Sequence, residues 1–90
     1  MKPFTWDAQK NNWLKKNRGI SFEQVEEEIA EGKLIDVVKN PNQTYMGQRM
    51  FVLALNDYIH VVPFRETEET TYLITAFPNR TFHRRYYSKR

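Results

Sequence analysis

Hydrophobic positions along the chain change their period once, near Gly32. Before it, apolar residues recur at helical spacing. Trp6, Trp13 and Leu14 fall at i, i+7 and i+8 and predict a helix over residues 5–18. Asp7 falls in its first turn and Lys15, Lys16 and Arg18 crowd its last, as the helix dipole favours. Gly19 then supplies a residue that turns left-handed without steric cost and ends the helix. A second start follows at once. Ser21-Phe22-Glu23-Gln24 reads as a capping box, with Ile20 placed to staple onto Val25. Phe22, Val25 and Ile29 line one face of this helix, and Gly32 stops it.

After Gly32 the pattern is that of strands. Residues 34–38, 48–55, 58–64 and 71–77 are rich in β-branched and aromatic side chains. Asn40-Pro41-Asn42-Gln43 marks a turn, and Asn56-Asp57 fits a two-residue hairpin connection. Residues 65–70, with three Glu, make a second, wet hairpin loop. Pro78-Asn79 breaks the last strand, and residues 80–88 form a short terminal helix or an extended arm. The expectation is a single α+β domain over residues 1–90. Two N-terminal helices pack on one face of a three- to four-stranded antiparallel sheet, followed by a short C-terminal helix or arm.

Composition narrows the chemistry. With no Cys, neither a disulfide framework nor a thiolate metal site is available, which fits a reducing compartment. The longest uninterrupted apolar run, Met50 to Leu55, is far short of a bilayer span, so a cytoplasmic chain without membrane contact is expected. Net charge is only +3, but it is unevenly spread. Residues 1–18 carry five bases against Asp7 alone, residues 23–31 carry five Glu and no base, and the last eleven residues carry five bases and no acid. Such a layout either solvates helix faces or forms a dipolar surface that takes a polyanion on one side.

The two histidines, His60 and His83, lie in different elements, and neither has a carboxylate at ligand spacing, so no metal or other cofactor is expected. The three glycines stand apart and make no phosphate loop. What remains is Arg, Lys, His and Tyr. That set suits either a plain RNA-binding face or metal-free phosphodiester cleavage, in which RNA supplies its own 2′-hydroxyl nucleophile. The protein then needs fixed cations for the phosphate oxygens and groups that move two protons. His83, Arg80, Arg84 and Tyr86 or Tyr87 lie close enough in sequence to converge. His60, between Ile59 and Val61, shares a strand face with Tyr58, Val62 and Phe64, where a structural histidine is the simpler role.

Phe4-Thr5-Trp6-Asp7 with Lys10 and Asn11, followed by Arg18-Gly19-Ile20-Ser21-Phe22-Glu23, resembles the opening of the BrnT-like ribonuclease toxins. Those begin F-x-W-D-x-x-K-x-x-x-N and continue H-G-I-S-F-E. Gly47-Gln48-Arg49 ahead of a hydrophobic strand, and Tyr72 to Ala76 ahead of a basic, Tyr-containing tail, are similar to the later parts of that family. The chain departs from the pattern in having Arg18 where the family has His, Phe77 where its last strand offers Arg, and Asn11-Asn12 closer to Lys10 than the family's asparagine. The resemblance implies a RelE-like α+β toxin of a bacterial type II toxin–antitoxin pair, cutting RNA without metal and silenced by a cognate antitoxin. On the basic ends, the metal-poor inventory and the resemblance together, Arg49, Arg80, His83 and Tyr86 are the expected catalytic set. Lys15, Lys16, Arg65, Arg84 and Arg85 are the expected RNA contacts. A non-catalytic nucleic-acid-binding or protein-interaction module of the same fold is the alternative.

Overall fold

Asp7 decides how the chain begins. Its backbone is extended and its side chain accepts the Gln9 N–H at 3.2 Å, so it stands outside the first helix as its N-cap. Helix α1 therefore covers Ala8–Arg18, and the residues before it form strand β1, Phe4–Trp6. This corrects the expected helix over residues 5–18. The indole of Trp6 packs against Phe22, 5.7 Å between centroids, while Trp13 is 43% exposed. The buried face of α1 is carried by Asn11 and Leu14 instead. Helix α2, Phe22–Ala30, starts as expected, with the Ser21 hydroxyl accepting the Gln24 N–H at 3.1 Å. Gly19 (φ 67°) and Gly32 (φ 78°) take the left-handed conformation that closes the two helices.

The computed structural model describes residues 2–39 and 48–87, with Tyr87 described through its backbone. The turn expected over residues 40–43, Gly47 and the last residue of the expected terminal helix lie outside the described residues. Strands β2 (Asp36–Lys39), β3 (Arg49–Leu55), β4 (Tyr58–Glu66), β5 (Thr71–Leu73) and β6 (Phe77–Pro78) follow, then helix α3 (Arg80–Tyr87). The sheet order is β1-β5-β4-β3-β2, with β6 also paired to β4. The class is α+β, as expected. The sheet has six strands and is mixed, because β1 runs parallel to β5. Asn56 (φ 53°) and Asp57 (φ 63°) make the tight β3–β4 turn, in the positive-φ geometry that matches strand twist. The Asn56 amide donates to the Gly19 carbonyl and so ties this turn to the end of α1.

The strand expected over residues 71–77 is split in two, and Pro63 supplies the reason. Its carbonyl accepts the Ile74 N–H at 2.9 Å, so the missing proline N–H faces the same side and returns no bond. The partner strand leaves the ladder there. It rejoins β4 as β6, opposite His60 and Val61.

Both sheet faces are covered, which corrects the expectation of helices on one face. α1 and α2 bury Leu14, Phe22, Val25 and Ile29 against Phe51, Leu53, Val62 and Phe64. Across the sheet, α3 lays Phe82 and Tyr86 over Met50, Val52, Ile59 and Val61. Between α1 and α2 sits the buried Asn11, whose Oδ1 accepts the Phe22 N–H at 2.8 Å and whose Nδ2 donates to Glu23 Oε1 at 2.7 Å. That amide satisfies an otherwise orphaned donor at the start of α2. It is also the main cause that holds the Glu23 carboxyl below its ordinary value. Asn11→Ala is expected to lower unfolding stability by about 2 kcal/mol, the cost of a buried unsatisfied N–H plus a lost contact. Urea unfolding measures it, and a change under about 0.5 kcal/mol contradicts this role.

Candidate functional site

The hairpin end of the sheet brings Tyr58, His60, His83 and Arg18 together. Tyr58 and His60 project from the first turn-proximal residues of β4, two apart and therefore on one side of the strand. The His83 ring stacks on Tyr58, with centroids 3.9 Å apart and planes within 5°. His60 meets the same phenol ring edge-on at 6.1 Å. On the opposite flank, Arg18 at the end of α1 donates from its guanidinium to the Ala76 carbonyl at 2.6 Å. Ala76 precedes β6, whose Pro78 is the partner of His60, so this bond brings the guanidinium toward the imidazole.

Local bonding fixes the two imidazoles in opposite tautomers. His83 Nδ1 accepts the backbone N–H of Ile59 at 3.1 Å, so the proton of its neutral ring is on Nε2. His60 Nδ1 lies 2.7 Å from the Tyr58 carbonyl, which can only accept, so Nδ1 carries the proton and Nε2 keeps a lone pair. Burial lowers the His60 pKa, and the Arg18 charge adds to this against the opposing bond to Tyr58. His60 is thus held as a neutral base, and only 6% of its surface is exposed.

Helix α3 is set by Asn79, which caps it by accepting the Phe82 N–H on its side chain and the His83 N–H on its carbonyl. Asn79 in turn donates its own N–H to the Ile59 carbonyl at 3.0 Å. Ile59 thus has both backbone groups answered by the α3 segment. Arg80 opens the helix at this same end and is exposed, as are Arg84 and Arg85 further along it.

Of the residues named from sequence, the structure brings His83 and Arg80 to this end. Lys15 and Lys16 lie in the last turn of α1, the helix that delivers Arg18, with Lys15 3.7 Å from Glu23. Tyr86 lies elsewhere, its hydroxyl donating to Asp36 at 3.0 Å on β2. Burial, and then that carboxylate, raise its pKa and keep the phenol protonated. Arg49 stands at the far end of β3, ion-paired with Glu66 and over the Phe64 ring. Arg49 is opposite Phe64 and Leu53 is opposite His60, four residues of strand, or ~13 Å, away. Arg65 lies at the same far end, over the Tyr72 ring, and Arg85 covers Phe82. Sequence reasoning did not place Tyr58 and Arg18 in a site and gave His60 a structural role. Alternation already put Tyr58 and His60 on one face, but the arrival of Arg18 depends on a contact across 58 residues.

Among the described residues no three His, Asp or Glu side chains converge as a metal site, and no helix is long and apolar enough to cross a membrane. No protein-family model, no curated protein and no solved structure matches the chain.

The lowered pKa of His60 makes folding stability depend on pH. The native state binds fewer protons at this ring than the unfolded chain, so its contribution is full above the ordinary histidine value of about 6.5. It is lost as pH falls from there through the lowered native value. Melting temperatures measured across this range should drop more in the wild type than in His60→Gln. Parallel pH profiles for the two would contradict the assignment.

Proposed function

We propose that this chain is the toxin of a bacterial type II toxin–antitoxin pair, of the RelE-like, BrnT-like kind, acting in the cytoplasm on RNA without a metal ion. The observation that carries the reading is the pair of complementary imidazoles around Tyr58. One keeps a lone pair at Nε2 and the other carries its proton there, and the Arg18 guanidinium is held at the Ala76 carbonyl just before β6, the strand paired with His60. In this reading His60 takes the proton of the 2′-hydroxyl as O2′ attacks phosphorus. The P–O5′ bond breaks as O5′ takes that proton from the His60 imidazolium, with His83 steadying the leaving oxygen by a hydrogen bond, and a 2′,3′-cyclic phosphate is left. Arg18 and Arg80 meet the charge that gathers on the non-bridging oxygens. Arg18 stands where the resembled family has His, so a permanent cation replaces a titrating one. The resemblance of residues 4–23 also supports the antitoxin as partner, and the α+β class with an Asp7 cap after F-x-W fits it.

The 6% exposure of His60 favours a second reading, a module of the same fold that binds RNA or a protein without cutting. The two part company in one assay. Incubated with RNA in EDTA, the wild type should release fragments with cyclic phosphate ends, and His83→Ala should slow this by about 10²–10⁴-fold. Intact RNA, with binding that weakens linearly in log–log salt plots, selects the second reading. Cleavage undiminished in His83→Ala overturns the assigned chemistry.

A further inference from the structure

Trp13 is the large apolar side chain of α1 that does not go inside. It is 43% exposed, whereas its neighbour Leu14 is fully buried. Two cations attend its ring. Lys10 Nζ lies 4.4 Å from the indole centroid and the Arg18 guanidinium carbon 4.8 Å from it. Their tethering differs. Arg18 is held by its bond to the Ala76 carbonyl, while Lys10 makes no ion pair or hydrogen bond among the described residues. Through Arg18, the indole is one side chain away from the His60–Tyr58–His83 group.

We propose that Trp13 is a base-stacking subsite for single-stranded RNA, with Lys10 and Arg18 as the phosphate contacts on either side of the stacked base. This rests on the RNA-directed reading above. An exposed indole offers a π-face that any base can cover, and aromatic stacking is the usual way a protein holds an unpaired base. The Lys10 ammonium is the movable occupant of that face. Displaced by a base, it swings onto the adjoining phosphate, exchanging a cation–π contact for a charge-assisted one. Arg18 stays fixed and keeps the strand in register with the imidazoles. Bases in a duplex are already stacked on one another, so the subsite selects unpaired RNA.

The test uses the full chain carrying Trp6→Phe, so that Trp13 alone reports by fluorescence. It is titrated with a single-stranded RNA of about ten nucleotides and with an abasic strand of the same length. RNA should quench the indole to saturation and the abasic strand should bind without quenching. In the otherwise wild-type chain, Trp13→Ala should weaken RNA binding about tenfold, leave abasic binding unchanged, and be largely restored by Trp13→Phe. The affinity comparison decides the matter alone if Trp6→Phe does not fold. Unchanged RNA affinity in Trp13→Ala, or equal quenching by both strands, overturns the subsite and leaves the RNA reading standing. A wild-type protein that neither binds nor cuts RNA overturns both.

Discussion

Strand β4 is paired with β3 to its first residue but runs past β6 on its other side, and the chain has to answer for the backbone groups left there. β6 pairs only with His60 and Val61, so Ile59 faces this edge with a buried side chain and both polar groups unmatched by a strand. Leaving them bare would cost a few kcal/mol. The α3 segment supplies both partners: Asn79 gives its N–H to the Ile59 carbonyl, and His83 takes the Ile59 N–H on its ring. One pair of bonds thus docks the helix, orients His83 over Tyr58 and chooses the tautomer of its imidazole. The chemistry assigned to this end of the molecule inherits its geometry from that backbone requirement.

The same strand explains why the sheet is closed on both faces. From Ile59 to Phe64 every residue of β4 is buried, which a sheet with one wet face cannot give. Alternate positions feed two separate clusters, one under α1 and α2 and one under α3. The amphipathic C-terminal helix is therefore part of the core despite its charge. Phe82 and Tyr86 go down onto the sheet, and Arg80, Arg84 and Arg85 stay out. Among the described residues the basic C-terminal segment is a helix packed on the sheet rather than an extended arm. α1, arriving from the opposite face, brings Arg18 to the same hairpin end, so cations from two layers flank the imidazoles.

Local chemistry was readable from sequence wherever a single residue type is required. The Ser21 cap, the left-handed Gly19 and Gly32, and the Asn56-Asp57 turn all follow from short-range rules. The β3 and β4 strands follow from their residue types. Failures arose where a long-range partner overrides spacing. Phe4–Trp6 has the composition of either a strand or a helix start, and its parallel pairing with β5 decides the matter. The break between β5 and β6 follows from which side of β4 the Pro63 nitrogen faces, and no periodicity reports that. In the candidate site, His83 and Arg80 were legible because they lie within one helical turn. Tyr58 was hidden by its role as a strand residue, and Arg18 by a partner far away in sequence. Tyr86, attractive beside His83 in sequence, is drawn off by Asp36.

Everything assigned to this end of the fold depends on the two rings holding opposite tautomers, and the most direct measurement is of the ring nitrogens themselves. Long-range proton–nitrogen correlation at mildly alkaline pH distinguishes a protonated from an accepting nitrogen in each imidazole. The account predicts an accepting Nδ1 in His83, scalar-coupled to the Ile59 amide, and a protonated Nδ1 in His60. A protonated Nδ1 in His83, or the same tautomer in both rings, would contradict it.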